Sequence, residues 1–474
     1  MKAEFNWDFS PEDLEPEVVP KSDIVLNEKQ QLHLDSITND LISSKDDIFG
    51  DDSWVSLKGG AGSGKTTLSK EIVRKLLNSG FNIAVVAPTH QATKVIKNAI
   101  GFNHKKIQYA SLHAFLGLKP GKMNYETGEQ PFVKERNRHK LSQIALEHFD
   151  ICILDESSMV SRELFGFLHE EMMQNNRIKT FLFIGDEYQL LPINEDPGKH
   201  SVYDNDKVNH YSLTELIRNT DMEVINFVTT IREMIARKAT KYELFNFLNS
   251  EKDKPHNKIK FYDNKKDFFG EFIKNDKLGK SDDVIATFTN KNVDIYNTKI
   301  RNYFTKDKDG VIPEIHPKDL FVVQKTVHQE KGIIDDRKGS FINSEILVLQ
   351  STVEKEIEYK GKKFRGFVCT VKDGRKFNKI HSDSIDDLER AKELLKAQAL
   401  KQKTGSAWKL YYGLENLFLD VRPQFSSTTH KLQGSSYKNV FVDMTDLSYV
   451  DDDSLLRLFY VASTRSKEDI HILI

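Results

Sequence analysis

The sequence predicts an α/β protein built on two parallel sheets. Short apolar runs alternate with segments of helical period, and this alternation occurs twice along the 474-residue chain. Polar residues follow several of the apolar runs directly, where a parallel sheet presents its site-forming loops. The first run is followed by Gly59-Gly60-Ala61-Gly62-Ser63-Gly64-Lys65-Thr66-Thr67. That is G-x-x-x-x-G-K-T, a phosphate-binding P-loop between a strand and a helix.

The first strand is Trp54 to Lys58, and the helix after the loop runs from Thr66 to Leu77 with apolar residues at Leu68, Ile72, Leu76 and Leu77. Glycines let the backbone turn so that several N–H groups point at one phosphate, and the helix start adds positive charge. Gly60, Ala61, Gly62, Ser63, Gly64, Lys65, Thr66 and Thr67 are the expected nucleotide cradle. Lys65 would reach the β/γ-phosphates and the Thr66 hydroxyl would ligate Mg²⁺, so ATP and Mg²⁺ are the expected cofactors.

Composition bounds the rest. A chain this long exceeds one core, so two to four domains are expected. No apolar run approaches a membrane span, and no membrane partner is expected. The acidic start, with Glu4, Asp8, Glu12, Asp13, Glu15 and Glu17, is no signal peptide. Two cysteines, Cys152 and Cys369, suit a reducing cytoplasm. The net charge of −2 neither supports nor excludes a nucleic-acid partner, because the local potential decides.

In chain order, residues 1–22 read as an acidic, proline-punctuated tail. Asn27 caps a helix from Glu28 to about Ser43, with Gln30 near its start; a Gln amide suits an adenine edge, although most helix-start glutamines are solvated. A strand at Asn82 to Ala87 leads through Pro88-Thr89-His90 into a helix, with Thr89 its N-cap. Strand Phe149 to Leu154 ends in Asp155-Glu156, a helix spans about Arg162 to Met173, and strand Thr180 to Ile184 ends in Gly185-Asp186. The pattern returns with strand Asp283 to Phe288, Thr289-Asn290 and a helix to about Phe304. It closes with strand Val440 to Asp443, helix Leu455 to Thr464 and strand Asp469 to Leu473. This second unit has no P-loop.

Two insertions interrupt the alternation. Residues 114–146 read as a hairpin with its turn at Thr127-Gly128. Residues 305–420 hold β-like runs at Ser344 to Leu349, Glu356 to Tyr359 and Gly366 to Val371, read as a small barrel or sheet, then a basic helix around Asp386 to Lys401. The expected domains are therefore 23–113 with 147–212, the hairpin 114–146, 213–304 with 421–474, and the insertion 305–420.

Asp155-Glu156 after four apolar residues matches a Walker B element: Asp155 would hold Mg²⁺ and Glu156 would polarise the attacking water. The plainer alternative is an acidic pair at a helix start. Gln189 lies just beyond a neighbouring strand, from where its amide could sense a γ-phosphate. Arg218 and Arg465 are candidates for the positive charge that a γ-phosphoryl transition state needs beyond Lys65, although most arginines are solvated.

Together these segments resemble superfamily 1 helicases of the RecD-like (1B) branch, nearest the Dda helicases of bacteriophages. Gln30 sits at the family's Q motif, Gly59 to Thr67 is motif I, and Ala87 to Ala92 resembles motif Ia. Ser111-Leu112-His113 resembles the next DNA-contacting element. Asp155 to Met159 is motif II, Gly185 to Pro192 motif III, and Leu213 to Arg218 motif IV. Ser427 to Ser435 is similar to motif V, and Tyr460 to Arg465 to motif VI. The acidic tail and Asn343-Ser344-Glu345, where the family often has Asn-Gly and an acid, depart from the pattern.

The resemblance implies two RecA-like domains sharing one ATP site, with Gly434 also at the nucleotide, and an SH3-like barrel for the second insertion. It implies ATP-driven 5′→3′ movement on single-stranded DNA and unwinding of duplex or forked DNA. Pro88, Thr89, His90, His113, Asn290, Thr429 and His430 would contact DNA; the plain alternative for each lone Thr or His is a helix cap. Met123, Tyr125 and Phe132 would form the strand-separating pin; the alternative is packing on a neighbour. A cytoplasmic monomer is expected, in the host cytoplasm for a phage protein, with a single-strand-binding protein or replisome components as partners. Competing readings are an RNA-directed helicase and a non-motor ATP-dependent clamp. A small-molecule kinase would need no motifs V and VI.

Overall fold

The computed structural model describes residues 24–43, 54–60, 62–102, 104–121, 132–134, 149–174, 180–191, 202–203, 208–213, 221–275, 283–306, 310, 312–316, 319–328, 340–343, 345–447 and 450–474. The chain divides into two compact units. The first comprises Met1–Leu116, Asn137–Glu187 and Asn194–Glu215; the second comprises Gly117–Arg136, Tyr188–Ile193 and Leu216–Ile474.

The first unit begins with α1 (Glu28–Ser43), β1 (Trp54–Gly59), α2 (Lys65–Asn78), β2 (Ile83–Ala87), α3 (His90–Ile100), β3 (Ile107–Ser111) and the single turn α4 (Leu112–Phe115). A short antiparallel pair follows, β4 (Leu118–Pro120) with β5 (Phe132–Lys134), and falls in the second unit. The chain returns with β6 (Ile151–Leu154), α5 (Arg162–Gln174), β7 (Thr180–Gly185) and β8 (Val208–Leu213). All six strands pair in parallel in the order β3-β2-β6-β7-β1-β8. The helices cover the sheet because their apolar residues recur at helical spacing. On α2, Leu68, Ile72, Leu76 and Leu77 pack against Val55, Leu57 and Val85 of the strands. Each such side chain contributes about 1.5–3 kcal/mol by leaving water. Gly101, at φ 71, ends α3 by taking the left-handed conformation and bonding back to Lys97 O.

The second unit continues with α6 (Met222–Ala236), α7 (Lys241–Lys252), β9 (Ile259–Tyr262), α8 (Lys265–Asn275), β10 (Val284–Thr287) and α9 (Asn290–Thr305). The inserted region holds β11 (Leu320–Val323), β12 (Val327–His328), β13 (Ser340–Phe341), β14 (Ile346–Tyr359), β15 (Lys362–Val371), β16 (Lys376–Ile380), α10 (Ile385–Gln402) and α11 (Gly405–Glu415). Then come β17 (Val421–Pro423), β18 (Ser426–Thr428), the turn α12 (Thr429–Leu432), β19 (Val440–Asp443), α13 (Asp452–Thr464) and β20 (Ile470–Leu473). Strands β18-β10-β19-β20-β9 form a second all-parallel sheet. Its core runs through α6, α13 and the sheet, with Phe227, Ile231, Leu455, Phe459 and Val442 buried. Two parallel sheets with covering helices are the two RecA-like domains.

The insertion is antiparallel, in the order β16-β15-β14-β11-β17. Its two ends approach each other. Leu419 N donates to Asn378 O (2.8 Å), and Asn378 Nδ2 donates to Leu417 O (3.1 Å). The two runs expected at Ser344 to Leu349 and Glu356 to Tyr359 are one strand. β14 continues through a bulge, where Leu349 faces Val371 and Ser351 faces Thr370. The helix expected to be basic is balanced: Asp386, Asp387, Glu389 and Glu393 offset Arg390, Lys392, Lys396 and Lys401. Acids lead and a lysine ends it, matching the helix dipole. The expected hairpin turn, with Met123 and Tyr125, lies outside the described residues; so do residues 214–218 of motif IV, Arg218 among them.

Candidate functional site

In the first unit Lys58 lies opposite Gly185, and Leu154 lies opposite Phe183. The loops after β1, β6 and β7 therefore leave the sheet along one edge. Gly62 (φ 85) and Gly64 (φ 88) take backbone conformations that strain any residue with a Cβ. Gly64 is the N-cap of α2 and brings no side chain, so the positive end of the helix faces the loop. A Cβ on Gly59 would collide with Ser63 Oγ and come within 3.1 Å of Leu213. Lys65 Nζ donates to the carbonyls of Gly59 (2.5 Å) and Gly60 (2.9 Å). Ser63 is 1% exposed and its hydroxyl has no partner among the described residues, which suits a loop built to donate to a ligand. Thr66 is exposed in the first turn of α2; Thr67 is half-buried beside it. Ala61 lies outside the described residues.

Asp155 follows β6, its N–H bonded to Val86 O (2.9 Å). Burial first, and then the charge of Glu156, raise its carboxyl above the usual range. Glu156 is unusual: φ 51 and ψ 40 put a non-glycine residue in the left-handed region. That costs about 1–2 kcal/mol and is held only where the surroundings determine it. Among the described residues no cluster of three or more His, Cys, Asp or Glu side chains could hold a metal. A divalent ion at Thr66 and Asp155 would therefore need nucleotide oxygens to complete its shell, the usual arrangement for Mg²⁺. Gln30 is 5% exposed, and its amide oxygen accepts from Asn27 N (3.2 Å) while Asn27 Oδ1 accepts from Gln30 N (2.8 Å). This is a reciprocal helix cap, so Gln30 has a structural task as well as the expected one at a base.

Motif III divides between the units. Asp186 stays with the first, while Tyr188 to Leu191 belong to the second. There Gln189, 2% exposed, accepts from Gln433 Nε2 (3.1 Å) through its side chain and from Arg457 Nη1 (3.0 Å) through its carbonyl. Arg232 lies over the Tyr188 ring at 5.4 Å. Gly434 takes φ 80 in the loop after α12. Arg465, 5% exposed, donates to Ser435 O (3.4 Å), Val461 O (3.2 Å) and Thr464 Oγ1 (3.0 Å). Motifs III, V and VI thus meet inside the second unit.

The residues expected at DNA fall into two matching sets. In the first unit Pro88 is half-buried and Thr89 and His90 are exposed after β2; Thr89 Oγ1 accepts from Ala92 N (3.1 Å) and caps α3. His113 is half-buried, and burial and then His90 lower its pKa. In the second unit Thr289 caps α9 in the same manner, accepting from Asn292 N (3.3 Å). Asn290 Oδ1 accepts from Arg422 Nη1 (3.0 Å). Thr429 is buried with its hydroxyl on Thr287 O (3.3 Å), and burial lowers the pKa of His430. Lys431 Nζ donates to Gln324 Oε1 (2.5 Å). No motif marks Arg422, Arg457 or Tyr203, although Lys431 and Gln433 stand within motif V. Phe132 lies in β5 with its side chain outside the described atoms.

A P-loop, a Walker B pair and a second parallel sheet carrying motifs V and VI are the features of a P-loop nucleoside triphosphatase of the superfamily 1 kind. Residues 46–251 match a family described as an AAA domain, and residues 424–473 match the UvrD-like helicase C-terminal domain. The ATP-dependent DNA helicase dda of Enterobacteria phage T4 is 25% identical over 445 residues, 88% of this chain and 93% of that one. An uncharacterized protein, R530, of Acanthamoeba polyphaga mimivirus is 24% identical over 514 aligned positions, 95% of this chain and all of the other. A crystal structure of Pif1 helicase from Bacteroides with ADP-AlF3 and ssDNA has the same fold at a TM-score of 0.50, 16% identity, and coverage of 95% and 92%. These matches support a superfamily 1B helicase similar to Dda of phage T4.

Proposed function

We propose that this chain is an ATP-dependent DNA helicase that moves 5′→3′ on single-stranded DNA and separates duplex ahead of it. The observation that carries the reading is a repeated edge. A capped helix start with exposed polar side chains follows β2, and another follows β10 in the unit without a P-loop. Helix N-termini with threonine, asparagine and histidine suit phosphates. A nucleotide kinase would not need the second edge.

In this reading Lys65 and the loop N–H groups hold the β/γ-phosphates of ATP, and Thr66 and Asp155 would hold Mg²⁺. When bound, the metal would supply positive charge at the phosphate oxygens. Glu156 takes the proton from the attacking water, and Gln189 senses the γ-phosphate. Arg218 and Arg465 add positive charge. We infer a monomer working in a reducing cytoplasm, consistent with two free, buried cysteines, on single-stranded and forked DNA. A single-strand-binding protein or replisome components are the fitting partners.

Steady-state ATPase with and without single-stranded DNA tests this. Turnover should rise strongly with DNA, and DNA binding should weaken with salt at a log–log slope of about −0.7 per phosphate neutralised. Lys65→Ala should abolish turnover, Glu156→Gln should bind ATP without hydrolysing it, and Arg218→Ala and Arg465→Ala should each lose about 10³–10⁵ in rate. No stimulation by any nucleic acid would reject the helicase reading, and equal stimulation by RNA would reject the DNA assignment.

A further inference from the structure

Tyr203 belongs to no motif, yet it is 5% exposed and touches the ends of three strands. Its hydroxyl lies 2.6 Å from Ser157 Oγ, and Ser157 donates to Ile184 O at 3.0 Å. Because Ser157 spends its proton on Ile184, Tyr203 is the donor of the pair. Burial holds the phenol protonated, well above its ordinary pKa, so it remains a donor at working pH. Lys58, at the end of β1, lies over the Tyr203 ring at 5.3 Å, donates to Tyr203 O at 3.5 Å and pairs with Glu187 at 3.2 Å. Gly185, at the end of β7, is required here, because a Cβ would run into the Tyr203 hydroxyl.

The loops that follow these strands carry Lys65, Glu156 and Asp186. Of the three, Glu156 has most need of an external hold, since its left-handed backbone is strained. Turn bonds support it from below, from Met159 N to Glu156 O (3.0 Å) and from Val160 N to Ser157 O (3.2 Å). Those bonds set the turn but not its position against the sheet. The side-chain anchor sits on the next residue, Ser157, which is fully buried.

We propose that Tyr203 is a positioning residue for ATP hydrolysis: through Ser157 it holds the strained Glu156 turn against β7, and so aims the Glu156 carboxylate. The proposal rests on Glu156 being the general base. The hydroxyl chain Tyr203–Ser157–Ile184 is the coupling element, and the ring itself is ordinary core.

The test is DNA-stimulated ATPase of the full chain carrying Tyr203→Phe, Ser157→Ala or both, with Glu156→Gln alongside. Tyr203→Phe keeps the ring, so the melting temperature should be that of the parent and the affinity for a non-hydrolysable ATP analogue should stay within twofold of it. Its kcat should fall about 10–100-fold, as when a supporting hydrogen bond behind a reactive group is removed. KM for ATP should be unchanged. Ser157→Ala should show the same split, and the double variant should be no slower than the worse single, because both hydroxyls act as one chain. Parent kcat in Tyr203→Phe, beside an inactive Glu156→Gln, would overturn the positioning role alone. A parallel fall in kcat, nucleotide affinity and melting temperature would overturn it too, showing a purely structural hydroxyl. Parent turnover in Glu156→Gln would instead remove the general-base reading beneath it.

Discussion

His471 shows how far one residue's surroundings can depart from what its type suggests. It is fully buried in β20, stacked on Phe441 with ring centroids 3.9 Å apart, and its Nδ1 pairs with Tyr262 OH at 2.8 Å. Burial pushes its pKa down to about 3, with the charge of Lys260 adding to the effect. The folded state therefore favours the neutral ring. Its stabilising effect is complete above the unfolded pKa of about 6.5 and is lost as pH falls toward 3. Between pH 7 and pH 5 the loss should be about 2 kcal/mol. Urea unfolding of parent and His471→Gln at the two pH values checks this: the variant should lack most of that pH dependence, and an equal slope would contradict it. The sequence could not reveal such a site, since alternation shows that a strand is half-buried but not which partner a ring meets. Gln30 teaches the converse. Its spacing from Asn27 is a helix-capping pattern readable in sequence, and the reciprocal bonds are present.

Among the elements, those with strong periodicity were legible. β1, α2, β2, β6, β7, β10, β19 and β20 lie within a residue or two of where apolar runs put them. β8 is less visible, because exposed Asn209, His210 and Ser212 hide the strand that borders β1. β14 was obscured in the same way by a bulge and by the solvated run Glu354, Lys355 and Glu356. The hairpin insertion is seen at its base, where Leu118 pairs with Lys134 and Pro120 with Phe132, and Val133 is 44% exposed. An exposed apolar residue on this pair fits a wedge as well as a packing contact. If the insertion splits the duplex, replacing Met123, Tyr125 and Phe132 with Ala should slow unwinding and leave ATPase and single-strand translocation nearly intact. Base–aromatic stacking of about 1–3 kcal/mol per base sets the scale. Stopped-flow unwinding and translocation assays on the same protein separate the two activities, and equal loss of both would make the hairpin a structural element.

At the scale of the whole molecule, two parallel sheets repeat one plan, a strand end followed by a threonine-capped helix. Only the first carries a P-loop. The motifs announced that duplication because several of them follow strand ends, where chemistry constrains residue type; motif VI instead lies at the end of α13. The assignment of Tyr188, Gln189 and Leu190 to the second unit was not legible, since it depends on Leu190 joining that unit's core and Gln189 bonding Gln433 and Arg457 across a long sequence separation. That segment joins the strand beside the nucleotide loop to the unit holding motifs V and VI. The most direct measurement is strand displacement on duplexes with a 5′ or a 3′ single-stranded tail, at saturating ATP and Mg²⁺. Displacement of the 5′-tailed duplex only, abolished by Lys65→Ala, is the predicted result. DNA-stimulated ATP hydrolysis with no displacement of either substrate would contradict it.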